Sequence, residues 1–307
     1  QLLEYRLKFK KLARETTDPA LASEYNARQT SFKILINSFY GYLGFSGARF
    51  GDAALAAETT AKGREILQSL IAFFDEQGCE PLEADTDGIY VSAHGYFDDA
   101  ETLLAKAQAI LPKGIELEYD GRYETMFCYK AKNYALYDGE KVVIRGSAMR
   151  SRGIEPFLKE LTQRLIRFLL GESQEDPDEL SRAIEAKIES GDFDIRQLAK
   201  SEILSSNPEI YRKKIQSGGK PRRASAEVAL MLGDRARMGD RISYFISPKE
   251  KGKTADWQRA LPVEHYDEAI NPYDPTYYIK KLKDWRKRYA PFYPKLADDP
   301  AQGTLFG

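Results

Sequence analysis

EPLEADTDGIYVSAH (80–94) reads as two short strands, EPLEAD (80–85) and GIYVSAH (88–94), joined through the turn-prone pair Asp87-Gly88. Immediately upstream, AALAAETTAKGREILQSLIAFFDEQG (53–78) has the apolar periodicity of a long helix closed by Gly78. Residues 98–110 repeat the helical pattern. The run 115–146 is rich in Tyr, Val, Ile and Phe, with turn signals at Asp120-Gly121 and Asp138-Gly139, and reads as an antiparallel meander. Helical rhythm marks both outer flanks: 1–15 and 20–43 on one side, Glu155 onward on the other, with 171–179 a loop between helices. RISYFIS (241–247) is a short strand and 274–289 a basic amphipathic helix. RKKIQSGGKPRR (212–223) holds six basic residues and no acid, and is expected to be a mobile loop. The fold class is therefore α+β: an antiparallel sheet flanked by two helical arms.

Composition narrows the function. At roughly 150 residues per domain, 307 residues suggest about two domains. With 42% hydrophobic residues the chain can bury a core, so disorder is excluded for most of it. No stretch approaches the roughly 18 apolar residues that span a bilayer. Two cysteines and two histidines rule out a disulfide framework and a four-cysteine zinc site, and leave little room for a histidine metal centre. Lys and Arg number 46 against 47 for Asp and Glu, which excludes a globally basic nucleic-acid binder but not a locally basic groove. The opening QLLEYRLKFKKLAR is too charged for a signal peptide, so a reducing cytoplasm is the expected compartment. Gln1 in first place suggests a piece of a longer protein.

Three clusters can carry chemistry. Asp85 and Asp87 lie two apart in a strand context, so both carboxylates can share one face. Two readings stand: a site for a hard cation such as Mg²⁺ or Mn²⁺, which would relieve their repulsion, or a hairpin whose Asp side chains cap backbone N–H groups. In RQTSFKILINSFYGYLG (28–44), Lys33, Asn37 and Tyr40 fall at i, i+4 and i+7 on one helix face. That face can hold a triphosphate and a base or sugar, with Gly41 and Gly44 allowing close approach, or it can be a solvated stripe. In YKAKNYA (129–135), Lys130 and Lys132 alternate with Tyr129 and Tyr134 on an expected strand, which suits a phosphate backbone or a solvated sheet face.

Taken together, these stretches resemble the family B DNA polymerases. KILINSFYG (33–41) is similar to the K-x₃-N-S-x-Y-G motif of that family's fingers helix, EADTDG (83–88) to its Asp-Thr-Asp metal motif, and KNY (132–134) to its K-x-Y motif. GSAMRSRGIEPF (146–157) resembles the palm-to-thumb passage, and GDRISYFI (239–246) with DPTYYIKK (274–281) the end of the thumb. The resemblance implies fingers in 1–45, an antiparallel-sheet palm in 46–153 and a mostly helical thumb in 154–290, and prolines at 291, 294 and 300 mark 291–307 as a flexible linker tail. It implies two-metal nucleotidyl transfer from dNTPs to a primer 3′ end. Asp87 would be the direct ligand of Mg²⁺ and Asp85 its acidic neighbour. Lys33, Asn37, Tyr40 and Gly41 would form the dNTP pocket, with Lys33 also serving the leaving group. Lys130, Lys132, Tyr134, Arg152, Arg222 and Arg223 would contact primer–template DNA.

The sequence also departs from the family pattern. Glu83-Ala84 stands where Tyr-Gly is usual before Asp-Thr-Asp, and Gly88 where Ser is usual after it. The family's upstream D-x-x-S-L-Y-P-S-like motif and an exonuclease domain are not found in these 307 residues. The two Mg²⁺ ions would then be completed by an Asp outside this chain, from an N-terminal palm and exonuclease portion in cis or in trans. Alone, the chain is expected to bind DNA weakly and synthesise nothing. Gln302, Leu305 and Phe306 resemble the Q-x-x-L-F peptide that docks bacterial polymerases on a sliding clamp, a bacterial and nucleoid-associated leaning. The alternative is a non-catalytic, polymerase-derived DNA-binding scaffold.

Overall fold

The computed structural model describes residues 1–85, 88–150, 153–219, 222–250, 252 and 255–297. The chain divides into two compact units, 1–120 and 121–307, so the span 46–153 expected for the palm is shared between them.

Two helices open the first unit, α1 (Leu2–Glu15) and α2 (Pro19–Leu43). Asp18 separates them. Its Oδ1 accepts from the Ala20 N–H at 2.8 Å, and Pro19 takes the first helical position, where a missing N–H is harmless. The short connection lays the helices antiparallel. Tyr5 and Phe9 stack on Phe32, with ring centroids 5.6 and 5.9 Å apart, and Phe9 meets Tyr25 at 6.1 Å. Next comes α3 (Ala53–Glu76), capped by Asp52, whose Oδ1 accepts from the Leu55 N–H at 2.9 Å. Gly78 takes a left-handed φ of 72° and turns the chain toward β1 (Glu80–Asp85), which pairs antiparallel with β2 (Gly88–Ser92). A further helix, α4 (Ala100–Ala109), follows. The buried apolar residues of this unit are Ala56, Leu70, Cys79, Leu103 and Ala107.

A meander starts the second unit: β3 (Thr125–Lys130), β4 (Asn133–Tyr137) and β5 (Val142–Arg145), in that order across the sheet. It begins later than the composition of 115–146 suggests. The Gln108 side chain instead donates to the Ile115 carbonyl and accepts from the Leu117 N–H, each at 2.8 Å, which satisfies that backbone without a strand partner. Only Asp138-Gly139 of the two turn signals joins strands. There Asp138 Oδ1 accepts from the Glu140 and Lys141 N–H groups at 2.9 and 2.7 Å.

After α5 (Ser147–Arg150), long helices take over: α6 (Pro156–Leu169) and α7 (Pro177–Glu189). The short α8 (Ile195–Leu198) leads to β6 (Lys200–Ile203), α9 (Pro208–Gln216), α10 (Ala224–Leu232) and β7 (Arg241–Ile246). Then come α11 (Asp256–Arg259), β8 (Ala260–Pro262) and α12 (Pro275–Tyr289). Strands β6, β7 and β8 form an antiparallel sheet with β7 central. The Asp-Pro and Asn-Pro pairs at 176–177, 207–208 and 274–275 start α7, α9 and α12, each with its Asp or Asn side chain accepting a backbone N–H.

Phe157, Leu161 and Leu165 of α6 pack with Ile188, Leu198, Val228, Phe245, Tyr278, Leu282 and Tyr289 in one core. A smaller cluster of Phe127, Ala135, Met149, Ile166 and Leu170 joins the meander to α6. Two hydrogen bonds tie this core: Trp285 Nε1 donates to Thr162 Oγ1 at 2.9 Å, and the Ile246 N–H to the Tyr278 hydroxyl at 2.9 Å.

The basic run 212–223 is not a loop throughout, because 212–216 form the end of α9, with Tyr211 buried beneath. The tail is not flexible from 291. Phe292 packs edge-on against Phe127 at 5.1 Å, Tyr293 donates to Asp176 at 2.9 Å and Leu296 is fully buried. Prolines marked a linker in the sequence, but the aromatic and apolar residues between them supply the docking surface. Among the described residues no helix is long and apolar enough to cross a membrane.

Candidate functional site

Helix α2 presents Lys33, Asn37 and Tyr40 to solvent at positions i, i+4 and i+7. Its polar stripe is flanked by apolar side chains that stay in water: Ile34, Leu35 and Phe39 are 61, 49 and 62% exposed. Lys33 makes no ion pair among the described residues, which leaves its charge available. Gly41 sits in the last turn of α2, and a Cβ built there meets nothing within 4 Å. Glycine inside a helix costs about 0.5–1 kcal/mol against alanine. The packing of this chain does not demand it, whereas close approach of a ligand would.

Asp85 ends β1, half-buried, and lies opposite Gly88 of β2. The connection is therefore Thr86-Asp87 rather than Asp87-Gly88, and both its residues lie outside the described residues. Glu83 is half-buried two positions before Asp85, on the same face of the strand. That face offers carboxylate oxygens only, the donor type that suits Mg²⁺. Among the described residues no three His, Cys, Asp or Glu side chains gather where a metal could sit. The donor chemistry fits a hard cation and the donor number is incomplete.

In the second unit Lys130 pairs with Asn133, so Ala131 and Lys132 form the turn between β3 and β4. Lys132 is thus not on a strand, as its alternation with tyrosines suggested. Its φ of 62° is left-handed, uncommon for a residue with a Cβ and a cost of roughly 1–2 kcal/mol. The turn is held from both sides. Asn133 Nδ2 donates to the Ala131 carbonyl at 2.9 Å, and Asn133 Oδ1 accepts from the Ala148 N–H at 2.8 Å. Lys130 extends over the Tyr129 ring at 5.2 Å, and Tyr134 lies half-buried opposite Cys128 and Arg145.

Arg223 precedes α10 and donates to Ser205 Oγ at 3.3 Å; Arg222 donates to Glu227 at 2.8 Å and lies 4.8 Å from the Trp257 ring. The candidates Arg152, Gln302, Leu305 and Phe306 lie outside the described residues. The first unit carries Lys33, Asn37, Tyr40, Gly41 and Asp85, and the second Lys130, Lys132, Tyr134, Arg222 and Arg223.

A family model described as DNA polymerase family B matches residues 1–285. The chain belongs to that family. This family B chain is 34% identical to a DNA polymerase of Thermococcus gorgonarius over 91% of its own length and 36% of the relative's. It is 32% identical, with the same coverage, to a DNA polymerase of Thermococcus sp. (strain 9oN-7). In fold it is similar to the family B DNA polymerase of the hyperthermophilic archaeon Pyrobaculum calidifontis, with a TM-score of 0.65, 24% identity, all of this chain and 37% of that one. The family B chain spans about a third of the length of these relatives. They are archaeal, and give the bacterial leaning of the tail no support.

Sequence reasoning passed over Lys200, Trp257, Tyr277 and Lys281, which the second unit brings together around one cavity with Arg222 and Arg223. Tyr277 and Lys281 carry an i, i+4 signal in DPTYYIKK. Trp257 carries none, because its stretch has no periodicity.

Proposed function

We propose that this chain is the C-terminal portion of a DNA-dependent DNA polymerase that adds dNTPs to a primer 3′ end. The observation that carries the reading is the family match across 1–285 with Lys33, Asn37 and Tyr40 on one exposed face of α2. Lys33 binds the triphosphate and offsets its charge. Tyr40 and Asn37 line the space for the nascent base pair, and Gly41 keeps it open. Lys132 at its turn, with Lys130 and Tyr134, grips the primer–template, and the arginines 152, 222 and 223 hold duplex phosphates in a salt-dependent, sequence-independent manner.

Asp87 and Asp85 would hold Mg²⁺, with a further Asp outside this chain. When bound, two such ions activate the attacking hydroxyl and stabilise the charge of the leaving pyrophosphate. Gln302, Leu305 and Phe306 would tether the enzyme to a sliding clamp, and the protein would work at the chromosome in the cytoplasm.

The test is primer extension by the full-length gene product with Mg²⁺, beside Asp87→Ala. Extension that vanishes in the variant is the expected result. Extension that survives Asp87→Ala overturns the site. Duplex binding without any extension by the intact product overturns the catalytic reading in favour of a scaffold.

A further inference from the structure

A cavity of about 570 Å³ opens in the second unit between β6, β7, α10, α11 and α12. Its volume falls within the ~300–1,000 Å³ usual for small-molecule sites. Four cations line it, Lys200, Arg222, Arg223 and Lys281, against two carboxylates, Glu202 and Asp256. Its walls are aromatic, from Trp257 and Tyr277.

The cations are held in place rather than consumed. Glu202 accepts from Ser225 Oγ at 2.8 Å and the Tyr244 hydroxyl at 3.1 Å, and also pairs with Lys200 at 2.7 Å, so its charge is shared among three partners. Arg222 spends one bond on Glu227, which leaves most of its five donors open. Arg223 makes no ion pair among the described residues, and its guanidinium donates only to Ser205 Oγ, at 3.3 Å. Lys281 sits 5.3 Å from the Tyr277 ring and 3.7 Å from the buried Glu155, a loose pair. Trp257 orients Arg222 by lying 4.8 Å beneath its guanidinium.

A ligand that satisfies this surface needs an anion for the cations and a flat ring for the wall. Inorganic phosphate has only the first and a nucleoside only the second. We propose that the cavity is a binding site for one nucleotide unit, its phosphate on Arg222, Arg223 and Lys200 and its base against Trp257 and Tyr277. The unit comes either from a free nucleotide or from an unpaired nucleotide of a DNA strand. All its residues belong to the second unit, and none to the Lys33 and Asp85 set of the first.

The chain reports on this cavity by itself. Of its two tryptophans, Trp285 is 4% exposed and Trp257 lines the cavity. Titrating the 307-residue chain with thymidine 5′-monophosphate, thymidine and inorganic phosphate, read by tryptophan fluorescence, is the test. Saturable quenching by the nucleotide is expected, with thymidine at least tenfold weaker and phosphate silent. Arg222→Gln and Arg223→Gln are each expected to weaken the nucleotide about tenfold with an unchanged melting temperature, because exposed charges of this kind add little stability. Thymidine binding as well as its monophosphate, no saturable quenching, or variants that bind like the parent would each overturn the site. Tighter binding of a 5′-phosphorylated thymidine trinucleotide assigns the cavity to a strand, and equal binding assigns it to the free nucleotide. No primer or Mg²⁺ enters the titration, so its outcome is independent of polymerase activity.

Discussion

The first unit, 1–120, buries Ala56, Leu70, Cys79, Leu103 and Ala107 and leaves Ile34, Leu35, Phe39, Tyr40, Phe45 and Phe50 in water. The second, from 121 onward, closes around Phe157, Leu161, Leu165, Phe245, Tyr278, Leu282 and Tyr289, and exposes few large apolar groups among its described residues. The contrast separates two tasks. The second unit has the contiguous core that stabilises a fold. The first has helices, caps and stacked rings, but leaves Ile34, Leu35 and Phe39 of α2 in water on the helix that carries Lys33, Asn37 and Tyr40. Exposed apolar patches of that kind mark binding surfaces. Substitutions should therefore weigh differently in the two halves.

The largest difference is expected between Phe245→Ala and Phe39→Ala. Phe245 is fully buried in β7, and its truncation should cost about 3–5 kcal/mol, read as a lower denaturant midpoint. Phe39 is 62% exposed, and its truncation should stay within about 0.5 kcal/mol. Equal costs would break the comparison. A finer probe is Thr162→Val in α6. It keeps the shape but leaves the buried Trp285 N–H without its acceptor, at a cost of about 1–3 kcal/mol in the same denaturation experiment. A neutral result would show that the tie is not needed to complete the core.

Much of the fold was legible in the sequence because local chemistry and tertiary structure agree. The 53–78 helix appears as α3, and the two short strands appear as β1 and β2. What misled was chemistry with two outcomes. Residues 115–120 read as strand as part of the Tyr- and Ile-rich run 115–146, yet Gln108 satisfies the Ile115 carbonyl and the Leu117 N–H. Alternating Lys and Tyr at 129–134 read as one strand, yet the Lys130–Asn133 register puts Lys132 in a left-handed turn. Prolines at 291 and 294 read as linker, yet Phe292 and Leu296 dock. Of the candidate site, the α2 face follows directly from helical spacing. The cavity around Trp257 could not be read, because it joins residues from five elements distant in sequence.

Hydrogen exchange of the intact chain, followed amide by amide, tests the division between the units most directly. Amides of α6, β7 and α12 are expected to open only with global unfolding. Those of α1 and α2 are expected to exchange orders of magnitude faster, through local opening, because few buried contacts hold them. Equal protection in α2 and α6 would contradict the account, since the first unit would then be as firmly held as the second.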